Sequence, residues 1–330
     1  MTSEWDCIIA GGGAAGLSAA LVLGRARRRT LVVDAGAQSN LAAHGIGGLL
    51  GHDGRPPAQL YAAGRAELAT YPSVEVRTGE IVSAREGFVL GLADGTEEHT
   101  RTVLLATGMQ YRSPGIAGLD ELWGGSVFHC PFCHGWEVRD QPLAVLANGD
   151  RAAHSALLLR GWSDDIVILT NGPADIAAAQ RSLLSSAGVR IDERPVSELA
   201  SSEGQLTAVL FADGTRLARR GMLVATTLHQ RSTLATQLGV ATAPPGPVAA
   251  DAVAIDAFHR TSVPGVFAAG DVGAQMPQVA AAIAAGSLAA AAVVQTLLST
   301  DVGLPAMPWP TDLDTEQQDE TAKEDEHAHA

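Results

Sequence analysis

The sequence predicts an α/β fold with two doubly wound domains, the second inserted into the first. Two units with the order strand, glycine turn, helix, strand carry this prediction, one starting at Asp6 and the other at Pro142. Length is the third observation, because 330 residues exceed what one hydrophobic core usually organises.

The first unit opens the chain. A short apolar strand at 6–10 precedes a run of glycines, an Ala/Leu-rich helix covers about 14–25, and a strand at 30–33 ends at Asp34. Further strands are predicted at 74–78 and 103–106. Repeated strands separated by helices favour a parallel sheet covered by helices.

The second unit has a strand at 143–146, a helix near 152–160 and a strand at 166–169, and strands at 206–211 and 223–225 complete it. The Pro/Gly-rich stretch 244–247 is typical of a linker, and a strand at 266–268 and a long Ala-rich helix follow it. The predicted domains are therefore 1–112 with 248–310, and an inserted domain at 113–247.

Composition indicates a soluble globular protein, with 46% apolar and 18% charged residues. The most apolar stretch, 279–298, is interrupted by Gly286, Ser287 and Gln295, which favours a buried helix over a membrane span. The N-terminus lacks the basic segment of a signal peptide, so we expect a cytoplasmic protein. Three cysteines are too few for a disulfide scaffold.

The net charge of −14 is unevenly distributed. Residues 311–330 hold eight acidic residues and one lysine, which predicts a disordered acidic tail. An acidic chain lacks the clustered Lys and Arg that phosphate backbones require, so we expect no nucleic-acid partner.

The first glycine turn has the pattern of a Rossmann-like dinucleotide site. Gly11, Gly13 and Gly16 lie between a predicted strand and helix, and Asp34 closes the next strand 18 residues after Gly16. Such glycines permit a tight turn and let the backbone approach a pyrophosphate, while the helix N-terminus attracts phosphates and the aspartate binds a ribose hydroxyl. The predicted contacts at this turn are Gly11, Gly13, Ala14, Ala15, Gly16 and Asp34.

The segment from His129 to His134 contains a Cys-x-x-Cys pair, Cys130 and Cys133. A two-residue spacer lets two thiols close a small disulfide, and one thiol of such pairs is typically reactive. Zinc is the competing interpretation, but adjacent residues cannot easily all point at one tetrahedral ion and the chain has no second Cys-x-x-Cys. Cys7, in the first strand, is expected to be a buried small hydrophobe.

Two further segments resemble the signatures of the thioredoxin reductase family, namely 105–108 (Leu-Ala-Thr-Gly) and 263–271, which ends in Gly-Asp. The resemblance covers about residues 5–300. It implies a homodimer with two Rossmann-like FAD/NAD(P)-binding domains of three-layer ββα type, and FAD as cofactor. It further implies that Asp271 holds the ribityl chain and that these residues contact the cofactor: Ala106, Thr107, Gly108, Gly270, Asp271, Gln278 and Val279.

By the same resemblance Cys133 is the flavin-proximal thiol and Cys130 exchanges with substrate. The reductases have an aspartate after the second cysteine where this chain has His134. A neutral imidazole accepts a thiol proton at neutral pH, which suits oxidation of a dithiol. His129 is a second candidate base, although either histidine is also compatible with a polar neighbour that takes no part in the chemistry.

The second glycine turn departs from a nicotinamide site. Ala147 replaces the first glycine, Asp150 adds negative charge at the helix start, and 170–172 lack the arginines that bind a 2′-phosphate. In these absences the chain resembles the thioredoxin-reductase-like dithiol oxidases of gliotoxin and holomycin type. That resemblance implies a small dithiol or thioredoxin-like substrate, O2 as acceptor and H2O2 as product. The alternatives are a reductase that uses NAD(P)H or ferredoxin, and a flavin-bound sensor without turnover.

Overall fold

The computed structural model describes residues 4–273, 277–305 and 308–310. Its strands are β1 Trp5–Ala10, β2 Thr30–Asp34, β3 Val74–Thr78, β4 Ile81–Arg85, β5 Val89–Leu92, β6 Glu97–Leu105, β7 Met109–Tyr111, β8 Val127–Phe128, β9 Leu143–Leu146, β10 Ile166–Leu169, β11 Arg190–Asp192, β12 Val196–Ser202, β13 Gln205–Phe211, β14 Arg216–Ala218, β15 Gly221–Val224, β16 Leu228–Gln230 and β17 Val266–Ala268. Its α-helices are α1 Ala14–Arg25, α2 Pro57–Leu68, α3 Pro131–His134, α4 Asp150–Leu159, α5 Ala178–Ser186, α6 Leu234–Gln237 and α7 Val279–Val302.

The chain divides into two compact units. The first comprises the described residues of 1–39, 58–110 and 228–330, and the second comprises 40–57 and 111–227. The first unit resumes at Leu228 rather than at 248, because Leu234, Ala235 and Val240 are buried in its core. The segment 40–57, which the sequence assigns to the first domain, belongs to the second unit. The predicted acidic tail lies outside the described residues.

The first unit contains a parallel sheet in the order β3-β2-β1-β6-β17. The first residues of β6 also pair with β5, which pairs with β4, and both pairings are antiparallel. β6 is therefore longer than the predicted strand at 103–106, since one part of it serves each sheet. With helices on the parallel sheet, this arrangement is the expected three-layer ββα fold.

The second unit repeats the plan. A parallel sheet has the order β11-β10-β9-β15-β8, and β12, β13 and β14 form an antiparallel sheet. Strands β9, β10 and β15 are buried throughout, as continuous apolar runs in parallel sheets usually are. The predicted α/β class with two Rossmann-like domains is confirmed.

Helix α7 is long and apolar enough to span a membrane by length and composition. It contributes Ala289, Ala290 and Val293 to the core cluster that also contains residues of α1. A side chain at Gly286 would collide with the Ala15 backbone, so the two helices approach closely. The small residues of α7 serve this packing.

Candidate redox and cofactor site

The glycine turn after β1 is shaped by its contact with the end of β6. Gly11 has φ +111°, a conformation that favours glycine, and a Cβ there would collide with the Ala106 carbonyl. Gly13 is the N-cap of α1, whose first turn contains Ala14, Ala15 and Gly16, and no described side chain caps it. The backbone N–H groups of that turn are thus available to an anion.

The predicted cofactor residues follow neighbouring parallel strands. Ala10 pairs with Val33 and Leu105, and Leu105 pairs with Ala268, so β1, β2, β6 and β17 end at one sheet edge. The structure brings the predicted cofactor residues of four segments together at that edge, namely those of 11–16, Asp34, those of 106–108 (Ala106, Thr107 and Gly108), and Gly270 and Asp271. Gln278 is the N-cap of α7 and Val279 its first residue.

Asp34 lies at the end of β2 in a network of its own unit. Its Oδ1 accepts hydrogen bonds from Gly36 N and Gln38 Nε2, both at 2.9 Å. Its Oδ2 lies 3.5 Å from Arg65 Nη1. The sequence analysis did not single out Gln38 or Arg65, because neither belongs to a recognised pattern. The network orients the carboxylate, which fits recognition of a ribose hydroxyl.

Asp271 provides a second test of whether FAD fits. Burial raises the pKa of its carboxyl group to about 6, and among the described residues no group forms a hydrogen bond with its side chain. A desolvated carboxyl group without a partner has capacity to bind a hydroxyl. The residues of this edge therefore fit FAD, and the roles of Asp34 at a ribose and of Asp271 at the ribityl chain stay predictions.

The cysteine pair flanks the short helix α3 in the second unit. Cys130 is the N-cap with extended backbone (φ −125°, ψ 114°), Pro131 is the first helical residue, and Cys133 N donates to Cys130 O at 3.2 Å. The two Sγ atoms lie 2.6 Å apart. A small movement would bring them to the S–S distance of a disulfide, about 2.05 Å.

His134 follows Cys133 and has one ring nitrogen anchored. Its Nε2 lies 3.2 Å from the Gly124 carbonyl oxygen, which only accepts, so Nε2 carries the hydrogen. In the neutral ring Nδ1 then holds the lone pair, and this buried atom has no hydrogen-bond partner among the described residues. Burial lowers the pKa of His134, although the charge of Glu137 opposes the shift. The ring is therefore neutral at pH 7 and able to accept a proton.

His129 lies among aromatic rings. Its centroid is 4.4 Å from that of Tyr111 and 5.8 Å from that of Trp123, against which it stacks. Burial lowers the pKa of His129 to about 4, and the charge of His134 contributes. A base with so low a pKa accepts a thiol proton less readily than His134 does. His129 therefore packs in an aromatic cluster with Tyr111 and Trp123, a contact that the sequence did not indicate.

The segment 40–57 covers one side of α3. A Cβ at Gly47 would lie 2.5 Å from the Cys133 carbonyl oxygen, so only glycine allows this approach. His44 neighbours Gly125 and its charge acts on His134. Sequence reasoning missed both residues, because the segment has no periodicity and lies far from the pair in sequence.

The sequence also raised the questions of what the third cysteine does and whether a metal ion is bound. Cys7 is fully buried, and burial raises the pKa of its thiol to about 12, which confirms the expected inert hydrophobe. Among the described residues, no group of three His, Cys, Asp or Glu side chains is arranged to hold a metal ion.

The glycine turn after β9 carries a carboxylate at its helix start. Gly149, with φ +66°, is the N-cap of α4, and Asp150 places a carboxylate in the first turn. Arg151 donates to the Thr226 carbonyl at 2.7 Å, within the unit. A phosphate at this helix start would meet the carboxylate of Asp150, which repels it.

Comparison with known proteins gives a consistent result. The family model described as pyridine nucleotide-disulphide oxidoreductase matches residues 5–286. A protein of Claviceps purpurea (strain 20.1) named thioredoxin reductase tcpT is 33% identical over 297 residues, covering 86% of this chain and 91% of that protein.

Two solved structures are also similar to this chain. The crystal structure of HlmI has a TM-score of 0.85 and 38% identity, covering 91% of this chain and 94% of HlmI. The crystal structure of an oxidoreductase from Agrobacterium tumefaciens has a TM-score of 0.84 and 36% identity, and the match covers 90% of this chain and 99% of the Agrobacterium chain.

Proposed function

This chain belongs to the pyridine nucleotide-disulphide oxidoreductase family, and we propose a particular reaction for it. The protein oxidises a dithiol to a disulfide with O2 as acceptor and H2O2 as product, and it does not use NADPH. It is a thioredoxin-reductase-like oxidoreductase that binds FAD. The observation that carries the proposal is the Cys130–Cys133 pair, with Sγ atoms 2.6 Å apart, next to the neutral ring of His134.

The proposed exchange starts from the oxidised pair. A substrate thiolate attacks Cys130 Sγ, the Cys130–Cys133 bond breaks, and Cys133 leaves as a thiolate. The second substrate thiolate then attacks the substrate sulfur of the mixed disulfide, and Cys130 leaves as a thiolate. The substrate leaves as its disulfide, and both cysteines are reduced. FAD held at the glycine turn after β1 would supply a two-electron acceptor, so that the Cys130–Cys133 bond could form again and the electron pair could pass to O2, which with two protons gives H2O2.

His134 is the proposed base of this exchange. Thiolates attack disulfides whereas thiols do not, so each substrate thiol must lose a proton. Since Gly124 O holds Nε2, the proton goes to Nδ1. Its lowered pKa keeps His134 in the accepting form at neutral pH. His129 is a secondary candidate, because its pKa of about 4 makes it a weaker base.

Side chains beside the pair support a small apolar dithiol as substrate. Phe132, between the cysteines, is 61% exposed, and Trp136 is 66% exposed. Exposed aromatic rings next to a redox pair favour a partner with an apolar frame. A thioredoxin-like protein with its own dithiol is the alternative substrate.

The misfit of the second glycine turn supports independence of NADPH. Ala147 stands where the first glycine of a dinucleotide turn is expected, and Asp150 carries the wrong charge for phosphates. Each charge-assisted phosphate contact is worth roughly 1.5–3 kcal/mol, so losing several weakens binding by orders of magnitude.

The test mixes the FAD-loaded enzyme anaerobically with NADPH, NADH or a small dithiol such as dithiothreitol. We expect the flavin absorbance to bleach only with the dithiol, and to return with release of H2O2 when air is admitted. Rapid, saturable bleaching by NADPH would overturn the proposal. Bleaching by the dithiol without recovery in air would also contradict it, because O2 would then not be the acceptor.

The second candidate function is disulfide reduction driven by NAD(P)H or ferredoxin. It is favoured by the name of the Claviceps relative, a thioredoxin reductase. Rapid bleaching by NADPH, followed by transfer to a thioredoxin disulfide, would establish it. Steady turnover with any dithiol would exclude the flavin-bound sensor.

We also propose a homodimer located in the cytoplasm. A Cys-x-x-Cys pair in a chain of only three cysteines suits a reducing compartment, where such motifs are catalytic rather than structural. Sedimentation of the FAD-loaded protein tests the dimer, and a single species at the 33.9 kDa of one chain would contradict it.

A further inference from the structure

One side chain bridges the turn after β9 and the loop after β10 in the second unit. The Oδ1 atom of Asn148 accepts hydrogen bonds from Gly149 N at 2.9 Å and from Asp175 N at 2.8 Å. Its Nδ2 donates to the Pro173 carbonyl at 2.9 Å. Two of these hydrogen bonds, those with Asp175 N and the Pro173 carbonyl, join the two segments, and the third holds Gly149 N within the turn.

These two segments are the ones that hold a dinucleotide in a doubly wound domain. The pyrophosphate lies at the first turn, where N–H groups of the helix start point towards it, and the ribose lies at the end of the next strand. Gly149 N, at the N-cap of α4, is such a group, and here the Asn148 carboxamide takes its hydrogen bond.

The neighbouring polar groups are also engaged within this unit. Asp150 Oδ1 accepts from Gln180 Nε2 at 2.9 Å, which keeps a carboxylate at the helix start. Thr170 Oγ1 donates to the Gly172 carbonyl at 2.6 Å, and Asn171 Oδ1 accepts from Val196 N at 2.7 Å. The end of β10 therefore uses its polar groups to shape its own loop.

We infer that Asn148 is a specificity-determining residue that keeps dinucleotides away from the turn after β9 and the loop after β10, because its carboxamide takes the hydrogen bond of Gly149 N and ties the two segments together. The inference rests on the proposed use of O2 in place of a nicotinamide, and it names the group that excludes the nucleotide. A nucleotide would have to break three hydrogen bonds and approach the Asp150 carboxylate before forming its own contacts.

The closing experiment compares the FAD-loaded wild type with Asn148→Ala and with Gln180→Ala as matched control. Gln180→Ala removes a hydrogen bond at the same helix start but leaves the Asn148 bridge intact. Hydrogen exchange is measured at the amides of Gly149 and Asp175. We expect exchange at both amides at least about tenfold faster in Asn148→Ala, and unchanged in Gln180→Ala. The thermal midpoint of Asn148→Ala should fall by roughly 3–8 °C.

ADP-ribose, which carries the nucleotide part of NADH without its redox chemistry, is titrated into the same wild-type protein by calorimetry. FAD already fills the first site, so any heat reports the second unit. No binding up to about 1 mM is expected. Binding of ADP-ribose with a Kd below about 100 µM would overturn the inference. Unchanged exchange at the Gly149 and Asp175 amides in Asn148→Ala would overturn it too. The binding measurement uses the wild type, so it does not depend on whether the variant folds.

The two proposals can fail separately. ADP-ribose binding together with dithiol-driven O2 consumption would remove the inference and leave the oxidase. Absence of ADP-ribose binding, together with faster amide exchange in Asn148→Ala but no O2 consumption, would contradict the proposed oxidase and leave the inferred role of Asn148 intact.

Discussion

The two cysteines occupy different backbone environments, which is why we expect different roles. Cys130 precedes α3 in extended conformation, whereas Cys133 lies inside the helix and is covered by Gly47. A thiol at the helix entrance suits exchange with a substrate. This contrast supports assigning Cys130 to exchange and Cys133 to the flavin.

Serine substitutions test the assignment. Cys133→Ser should abolish flavin reduction by dithiols, since no thiol remains to pass the electron pair. Cys130→Ser should leave the Cys133 thiolate beside the flavin and produce a long-wavelength charge-transfer band in the absorbance spectrum. The band in Cys133→Ser and its absence in Cys130→Ser would reverse the two roles.

His134→Ala tests the proposed base. Loss of a general base typically lowers the rate by about 10²–10⁴-fold. The loss should be largest between roughly pH 6 and 8, where substrate thiols are protonated and His134 is neutral, and should shrink near pH 9 as thiols ionise by themselves. The measurement is the pH profile of kcat/KM for a small dithiol.

Two variants separate catalysis from positioning. His134→Gln has an amide that can still donate to Gly124 O but takes up no proton, so it should be as slow as His134→Ala. The exposed His154 of α4 is the matched control, and His154→Ala should retain the wild-type profile. Full activity in His134→Gln would leave His134 with a positioning role only.

At the scale of elements, the segment 40–57 holds α3 through backbone proximity. A methyl group at Gly47 would meet the carbonyl oxygen, the carbonyl carbon and the Cα of Cys133. These backbone atoms cannot move aside as a flexible side chain does. The segment therefore constrains where the second cysteine lies.

Gly47→Ala should displace α3 and lower dithiol oxidation by about tenfold or more, since small misplacements of reacting groups are costly. Single-turnover reduction of the flavin by dithiothreitol measures the effect. Gly246→Ala is the control, because its added methyl group would meet no atom closer than 4.0 Å. Equal rates for both variants would show that the segment does not position Cys133.

At the scale of the whole molecule, histidines of lowered pKa couple stability to pH. Burial is the main cause at His129, His134 and His259, and it lowers the pKa of His129 to about 4. The unfolded chain, whose histidines titrate near 6.5, binds more protons than the folded chain between about pH 4 and 6.5. Stability is therefore complete above pH 6.5 and decreases as the pH falls towards 4.

The thermal midpoint should accordingly fall between pH 7 and pH 5, with His129 contributing on the order of 2 kcal/mol by pH 5. His129→Phe keeps an aromatic ring beside Tyr111 and Trp123 but cannot be protonated, so its midpoint should fall less. His154→Ala should follow the wild type. A decrease in His129→Phe as large as that of the wild type would contradict the assignment.

The sequence alone determined the α/β class, the two glycine turns, most parallel strands and the position of the Cys-x-x-Cys pair. These features are local: an apolar run, a glycine spacing or a two-residue spacer has its physical consequence within a few neighbouring residues. Helix 14–25 and the strands at 74–78, 143–146, 166–169 and 266–268 were therefore predicted at their observed bounds.

Only the tertiary structure decided which distant residues meet. It assigned 40–57 to the second unit, brought Gly47 onto Cys133, and packed His129 against Tyr111 and Trp123. It also revealed that the Asn148 carboxamide bridges two loops. The physical reason is that burial, close approach and hydrogen bonds between distant segments depend on the packed chain, and leave no periodic or spaced pattern in the sequence.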